Sequence, residues 1–156
     1  MNWLKSAVVL LCICGFCSCH PLFCVWNMGY KSINSGIQRR DVIGMYKLTT
    51  DSKKMMYYEG KYTRIPNSTL VINADSTYLL TNAPDWLNND LGNSSRGYFS
   101  HKGKWFLVCN TKDGCIMEIE DINTGDLLAT KKGKISILLT VGDGDACQGM
   151  IYEKGN

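Results

Sequence analysis

The chain of 156 residues contains only two histidines, His20 and His101. Nucleophilic catalysis of the Ser–His or Cys–His kind needs an imidazole base beside the nucleophile and a third group to orient it. With His20 close to the N-terminus, His101 is the one histidine left to serve as such a base. The apolar run from Ala7 to Cys17 is short of the roughly 20 residues that a membrane-spanning helix needs, and His20 and Pro21 interrupt its continuation as a signal anchor through Trp26. Neither sign of charge dominates: 17 basic and 14 acidic residues leave a formal +3. The densest basic runs, Gln38-Arg39-Arg40 and Lys131-Lys132-Gly133-Lys134, are short and read as solvated turns. Nucleic acid is therefore not an expected partner, since that function calls for a clustered basic face. What remains is 45% hydrophobic and 20% charged, the composition of a globular chain with length for one domain.

The eight cysteines are unevenly placed: five lie in the first 24 residues, and only Cys109, Cys115 and Cys147 follow. A disulfide framework would spread pairs through the fold. A zinc site would need a second ligand pair downstream. Neither is present in the pattern, and no metal or cofactor is expected. The crowded segment reads instead as an export signal over residues 1–18. Lys5 supplies the positive start, and Ala7 to Cys17 supplies an apolar stretch of 11 residues. Phe16-Cys17-Ser18-Cys19 resembles a lipobox, in which a small residue precedes the cysteine that receives acyl chains such as palmitate. Phe16 and Cys17 depart from that pattern. Cys19 is the expected lipidation site; the alternative is a cleaved secretory signal without lipid. Residues 19–40 read as a lipidated tether, because Gly29, Ser32, Asn34, Ser35 and Gly36 are linker or turn residues. This places the protein in the cell envelope, held to a bacterial membrane, with the periplasmic side of the outer membrane as the expected face.

From residue 41 to 156, strand signals recur with turns between them. The expected strands run over Val42–Thr49, Ser68–Ala74, Thr77–Asn82, Arg96–Ser100, Lys104–Asn110, Cys115–Asp121, Leu127–Thr130, Ile135–Val141 and Gly149–Lys154. Asn73-Ala74-Asp75-Ser76 supplies turn chemistry, and His101-Lys102-Gly103 reads as another turn. If Lys112-Asp113-Gly114 is a three-residue hairpin loop, Thr111 faces Cys115, Cys109 faces Met117 and Leu107 faces Ile119. One face of both strands is then apolar, as a half-buried sheet requires. Residues 53–62 could be helix or strand. Pro84 to Gly92 is the better candidate for one short helix, with Pro at its first position and Gly at its end. About eight short strands joined by local turns fold as an antiparallel up-and-down barrel or a sandwich.

Gly44-Met45-Tyr46, the run from Leu70 to Tyr78, and Gly103-Lys104-Trp105 resemble, in that order, small bacterial lipocalin-like lipoproteins. Those carry Gly-x-aromatic in the first strand, a Leu-x-Leu-x-x-Asp-Gly-Thr-Tyr hairpin, and a later Gly-x-Trp strand. Ser76 stands where that pattern has glycine. The resemblance spans about residues 41–154 and implies an all-β lipocalin-like barrel, but no chemistry.

The candidate sites follow. Tyr46, Tyr78 and Trp105 could line a cavity for a small apolar ligand or simply fill the barrel, which at eight strands is only wide enough for side chains or one small ligand. Cys109 and Cys115 flank one hairpin loop, diagonal across a loop of three residues and directly opposite across a loop of five; they could form a disulfide in an oxidising compartment or remain two thiols. Cys147 could pair with Cys24 or stay free, and no basic neighbour is visible to activate it. Asp143 and Asp145 alternate as calcium ligands do, but lack the further oxygen ligands and terminal Glu of a calcium loop. The expected function is a non-catalytic, membrane-anchored module binding a small apolar ligand or a protein partner. The alternative is an immunity- or inhibitor-type lipoprotein acting by protein–protein contact.

Overall fold

The structure, a computed structural model, describes residues 29–33, 35–58, 61–88, 96–110, 114–122, 126–141 and 149–155. The signal, Cys19, Cys24, Asp143, Asp145 and Cys147 lie outside the described residues. Nine antiparallel strands are present: β1 (Lys31–Ser32), β2 (Gly44–Leu48), β3 (Thr69–Ile72), β4 (Thr77–Pro84), β5 (Tyr98–Asn110), β6 (Gly114–Ile119), β7 (Asp126–Lys131), β8 (Lys134–Thr140) and β9 (Gly149–Lys154). From β2 to β9 each strand pairs with the next, and β9 returns to β2, so eight strands form an up-and-down barrel. Among the described residues β6 and β7 share two register pairs, the fewest of any seam of the barrel. There β1 adds to β7, and the Cys115 N–H donates to Ile33 O at 2.7 Å. Among the described residues no helix is long and apolar enough to cross a membrane.

Alternation builds the barrel wall. On β2, Tyr46 and Leu48 are buried while Met45 and Lys47 are exposed. On β6, Cys115, Met117 and Ile119 are buried while Glu118 is exposed. Outside the barrel, helix α1 (Arg39–Val42) precedes β2 and α2 (Thr50–Tyr58) follows it. The Thr49 hydroxyl caps α2 by accepting the Ser52 N–H at 3.3 Å. Buried Ser52 then fixes α2 to β9, its hydroxyl accepting the Ile151 N–H at 2.7 Å. Over Asp85–Asn88 the chain makes a 3-10 turn, with Trp86 and Leu87 buried. The helix expected from Pro84 is thus one tight turn after the end of β4, and the longest helix is the stretch whose pattern was ambiguous.

Three further differences from the sequence reading have physical causes. First, His101, Lys102 and Gly103 are not a turn: they lie inside the 13-residue β5 and pair with Leu80, Leu79 and Tyr78. Gly103 is there for space. A Cβ on it would stand 3.0 Å from Tyr78 Cε1 and 3.3 Å from the hydroxyl, so the Tyr78 ring lies over bare backbone. That ring is held at its hydroxyl, so it cannot retreat. Gly103→Ala is expected to destabilise by about 1–3 kcal/mol through overpacking, read from the midpoint of urea unfolding. A cost near zero would show that the ring moves freely.

Second, the β5–β6 hairpin is shifted by two residues from the expected register. Cys109 faces Cys115, Leu107 faces Met117 and Trp105 faces Ile119. A shift of two keeps every side chain on its face, which explains why the apolar pattern could not detect it. Third, part of the stretch read as tether belongs to the domain. Tyr30, Ile33 and Ile37 pack against the core, and Arg39 lies over the Trp105 ring at 4.5 Å. An apolar residue every few positions, without strand or helix period, gave that segment no signature.

Candidate functional site

Tyr46, Tyr78 and Trp105 come from β2, β4 and β5, and each has at most 1% of its surface exposed. Their polar atoms are bonded to the protein. The Tyr46 hydroxyl donates to Val42 O at 2.7 Å. Trp105 Nε1–H donates to Asn73 O at 3.0 Å. The Tyr78 hydroxyl lies 2.6 Å from Glu120 O and 2.8 Å from His101 Nδ1. A carbonyl only accepts, so the hydroxyl hydrogen goes to Glu120 and Nδ1–H of His101 donates to the tyrosine. His101 is therefore engaged in holding Tyr78. Tyr152 is bound the same way: its hydroxyl donates at 2.7 Å to Ser68, whose own hydroxyl donates to Thr81 O at 3.0 Å. Burial pushes the Tyr46 and Tyr152 hydroxyls far above the ordinary phenol range, so both stay protonated donors.

Two motif residues of the candidate region have conformational roles. Gly44 opens β2 at φ +146°, where a Cβ would also meet Lys154 Cε at 2.9 Å. Ser76 takes φ +70° in the β3–β4 hairpin, the left-handed geometry for which glycine is the usual choice. Asp75 stabilises that turn, accepting from the Thr77 N–H at 3.0 Å and the Thr77 hydroxyl at 2.6 Å. These bonds hold the Asp75 carboxyl below the usual carboxylate range.

Cys109 and Cys115 are joined by a disulfide, their Cα atoms 4.0 Å apart across the hairpin. As directly opposed residues they share one face of the sheet, the bond running from fully buried Cys115 to exposed Cys109 beside the seam that β1 covers. Among the described residues no group of three His, Cys, Asp or Glu side chains is placed to hold a metal ion.

The outer wall carries features that the sequence reading missed. Met45, Leu79, Phe106 and Val108 are large apolar side chains between 39% and 52% exposed. Met45, Val71 and Leu79 are neighbours in register across β2, β3 and β4, and Lys102 of β5 follows Leu79. Leu79, Lys102, Lys104 and Glu120 border a shallow cleft of about 500 Å³. Alternation on β5 puts Lys102, Lys104, Phe106 and Val108 on one outward face. That signal was readable once 101–103 is taken as strand. No family model, no curated protein and no solved structure matches the chain.

Proposed function

We propose that the chain is a membrane-anchored envelope lipoprotein whose barrel is a non-catalytic binding module, engaging a protein partner on its outer wall. The observation that carries this is where the apolar surface lies. Tyr46, Tyr78 and Trp105 bury both their rings and their polar ends in the wall and core, while Met45, Leu79, Phe106 and Val108 face outward. Scattered exposed apolar residues are ordinary on any protein. Here Met45, Val71 and Leu79 form a row that ends on Lys102, with Lys104 beside it at the cleft. A fitting partner would present apolar side chains flanked by carboxylates. An immunity- or inhibitor-type lipoprotein is one form of this reading. The anchor is the lipid chain on Cys19, and the site of action is a bacterial membrane, on the periplasmic side of the outer membrane.

The test is mass spectrometry of the full-length protein taken from its own membranes. The denatured mass is expected to begin at Cys19 with acyl chains added, and the native spectrum to show a second protein in stoichiometric amount. That complex should be lost in Leu79→Glu and Phe106→Glu. An unmodified mass beginning near residue 20 would remove the anchor. A small-molecule adduct with no protein partner would return the interior to the role of ligand site.

A further inference from the structure

A second depression, of about 510 Å³, lies where α2 begins and the β7–β8 hairpin turns, beside β2 and β9. Five lysines line it, namely Lys47, Lys131, Lys132, Lys134 and Lys154, against two carboxylates among the described residues, Asp51 and Glu153. Its formal charge of +3 equals that of the whole chain, so the remainder is balanced and the positive surplus is local. Both carboxylates are already matched: Lys131 lies 3.5 Å from Asp51 and Lys134 lies 3.2 Å from Glu153. Lys154 donates to Asp41 O. The side chains of Lys47 and Lys132 are exposed and have no hydrogen-bond or ion-pair partner among the described residues. Lys132 projects from a two-residue hairpin turn that it forms with Gly133, both at positive φ (53° and 79°). Lys131 also stands 4.6 Å over the ring of Tyr30, which lines the groove.

Tyr30 sets the orientation. It lies eleven residues after Cys19. Eleven residues reach at most about 40 Å when fully extended, so on the tethered reading a bilayer that holds Cys19 is within reach of the groove. Lysines brought to within about a Debye length (~8 Å) of an anionic headgroup layer gain from it, so the tether need only let the groove touch down.

We propose that this groove receives the phosphate of an anionic phospholipid headgroup, with Lys47 and Lys132 as its free cations, and so docks the barrel groove-side down on its membrane. The inference rests on the tethered reading. It fixes which face of the barrel meets the bilayer and leaves the Leu79–Phe106 face outward for a partner.

The test uses the full-length protein in vesicles of phosphatidylcholine, with or without about one third phosphatidylglycerol, and acetylation of lysines read peptide by peptide. Lys47 and Lys132 are expected to react about fivefold more slowly on the anionic vesicles, and this protection should vanish at about 0.5 M salt. Lys102 and Lys104, at the Leu79 cleft, should not change. In Lys47→Gln/Lys132→Gln the protection of Lys131 and Lys134 should be lost. Equal labelling on both vesicles, or equal protection of Lys102 and Lys104, would overturn the proposal. So would protection by inorganic phosphate in detergent without any vesicle effect, which would assign the groove to a soluble phosphate compound. The denatured mass separates the two readings: acylated protein without groove protection sinks the groove alone, and groove protection on unacylated protein sinks the anchor alone.

Discussion

Trp105→Ala is expected to cost about 3–5 kcal/mol, the usual range for deleting a fully buried tryptophan. Trp105 is 0% exposed, its indole N–H is bonded to Asn73 O, its own backbone N–H is bonded to Ser76 O at 2.9 Å, and Arg39 covers its ring. Truncation therefore removes core volume, a carbonyl's partner and the seat of Arg39 together. Against a total stability of about 5–15 kcal/mol for a domain of this size, that is a large fraction. Urea unfolding followed by circular dichroism measures it. Trp105→Phe should cost less, since it keeps a ring and loses mainly the indole bond and some volume. A loss below about 1 kcal/mol for Trp105→Ala would mean that the indole borders empty space, and the interior would again be a ligand site.

Breaking the Cys109–Cys115 disulfide is expected to remove about 2 kcal/mol. The loop it closes is short, so the entropy it takes from the unfolded chain is at the low end of the range. On a domain of about 120 residues this lowers the melting temperature by roughly 5–15 °C. The comparison is wild type with and without reductant beside Cys109→Ser. That variant leaves Cys115 in place, and a buried thiol behaves as a small hydrophobe. Reductant should bring the wild type close to the variant and leave the variant unchanged. A wild type indifferent to reductant would mean that the bond contributes nothing to the native state. Cys115→Ser should be worse than Cys109→Ser, because it puts a hydroxyl at a fully buried position.

Much of the barrel was visible in the sequence because its wall obeys a period of two. β2, β3, β4, β6, β7, β8 and β9 fall within two residues of their expected ranges. What failed were the places where one residue type has two uses. Gly103 was read as a turn former, but its missing side chain serves the neighbouring strand through Tyr78. That single misreading split β5 in two and hid its outward row of Lys102, Lys104, Phe106 and Val108. Register between β5 and β6 stayed open between loops of three and five residues for a different reason, since slips of two are silent in an alternating pattern. The basic groove is non-local. Lys131-Lys132-Gly133-Lys134 is a solvated hairpin turn, as read, and becomes a site only because Lys47 and Lys154 arrive from β2 and β9. No spacing rule in one chain reports that meeting.

The short strand β1 has a practical consequence. It occupies the flank of β7 that β6 leaves free, pairing at Ala129 and Thr130 and accepting from Cys115. A truncated domain begun at residue 41, where composition alone would place its boundary, gives up those bonds and uncovers backbone donors and acceptors beside the seam. It also strips Tyr30, Ile33 and Ile37 from the core they pack against. Unpaired strand edges recruit other strands. Such a fragment should self-associate on a sizing column where the chain from residue 29 stays monomeric, so the segment before the barrel acts as its guard against edge-to-edge aggregation.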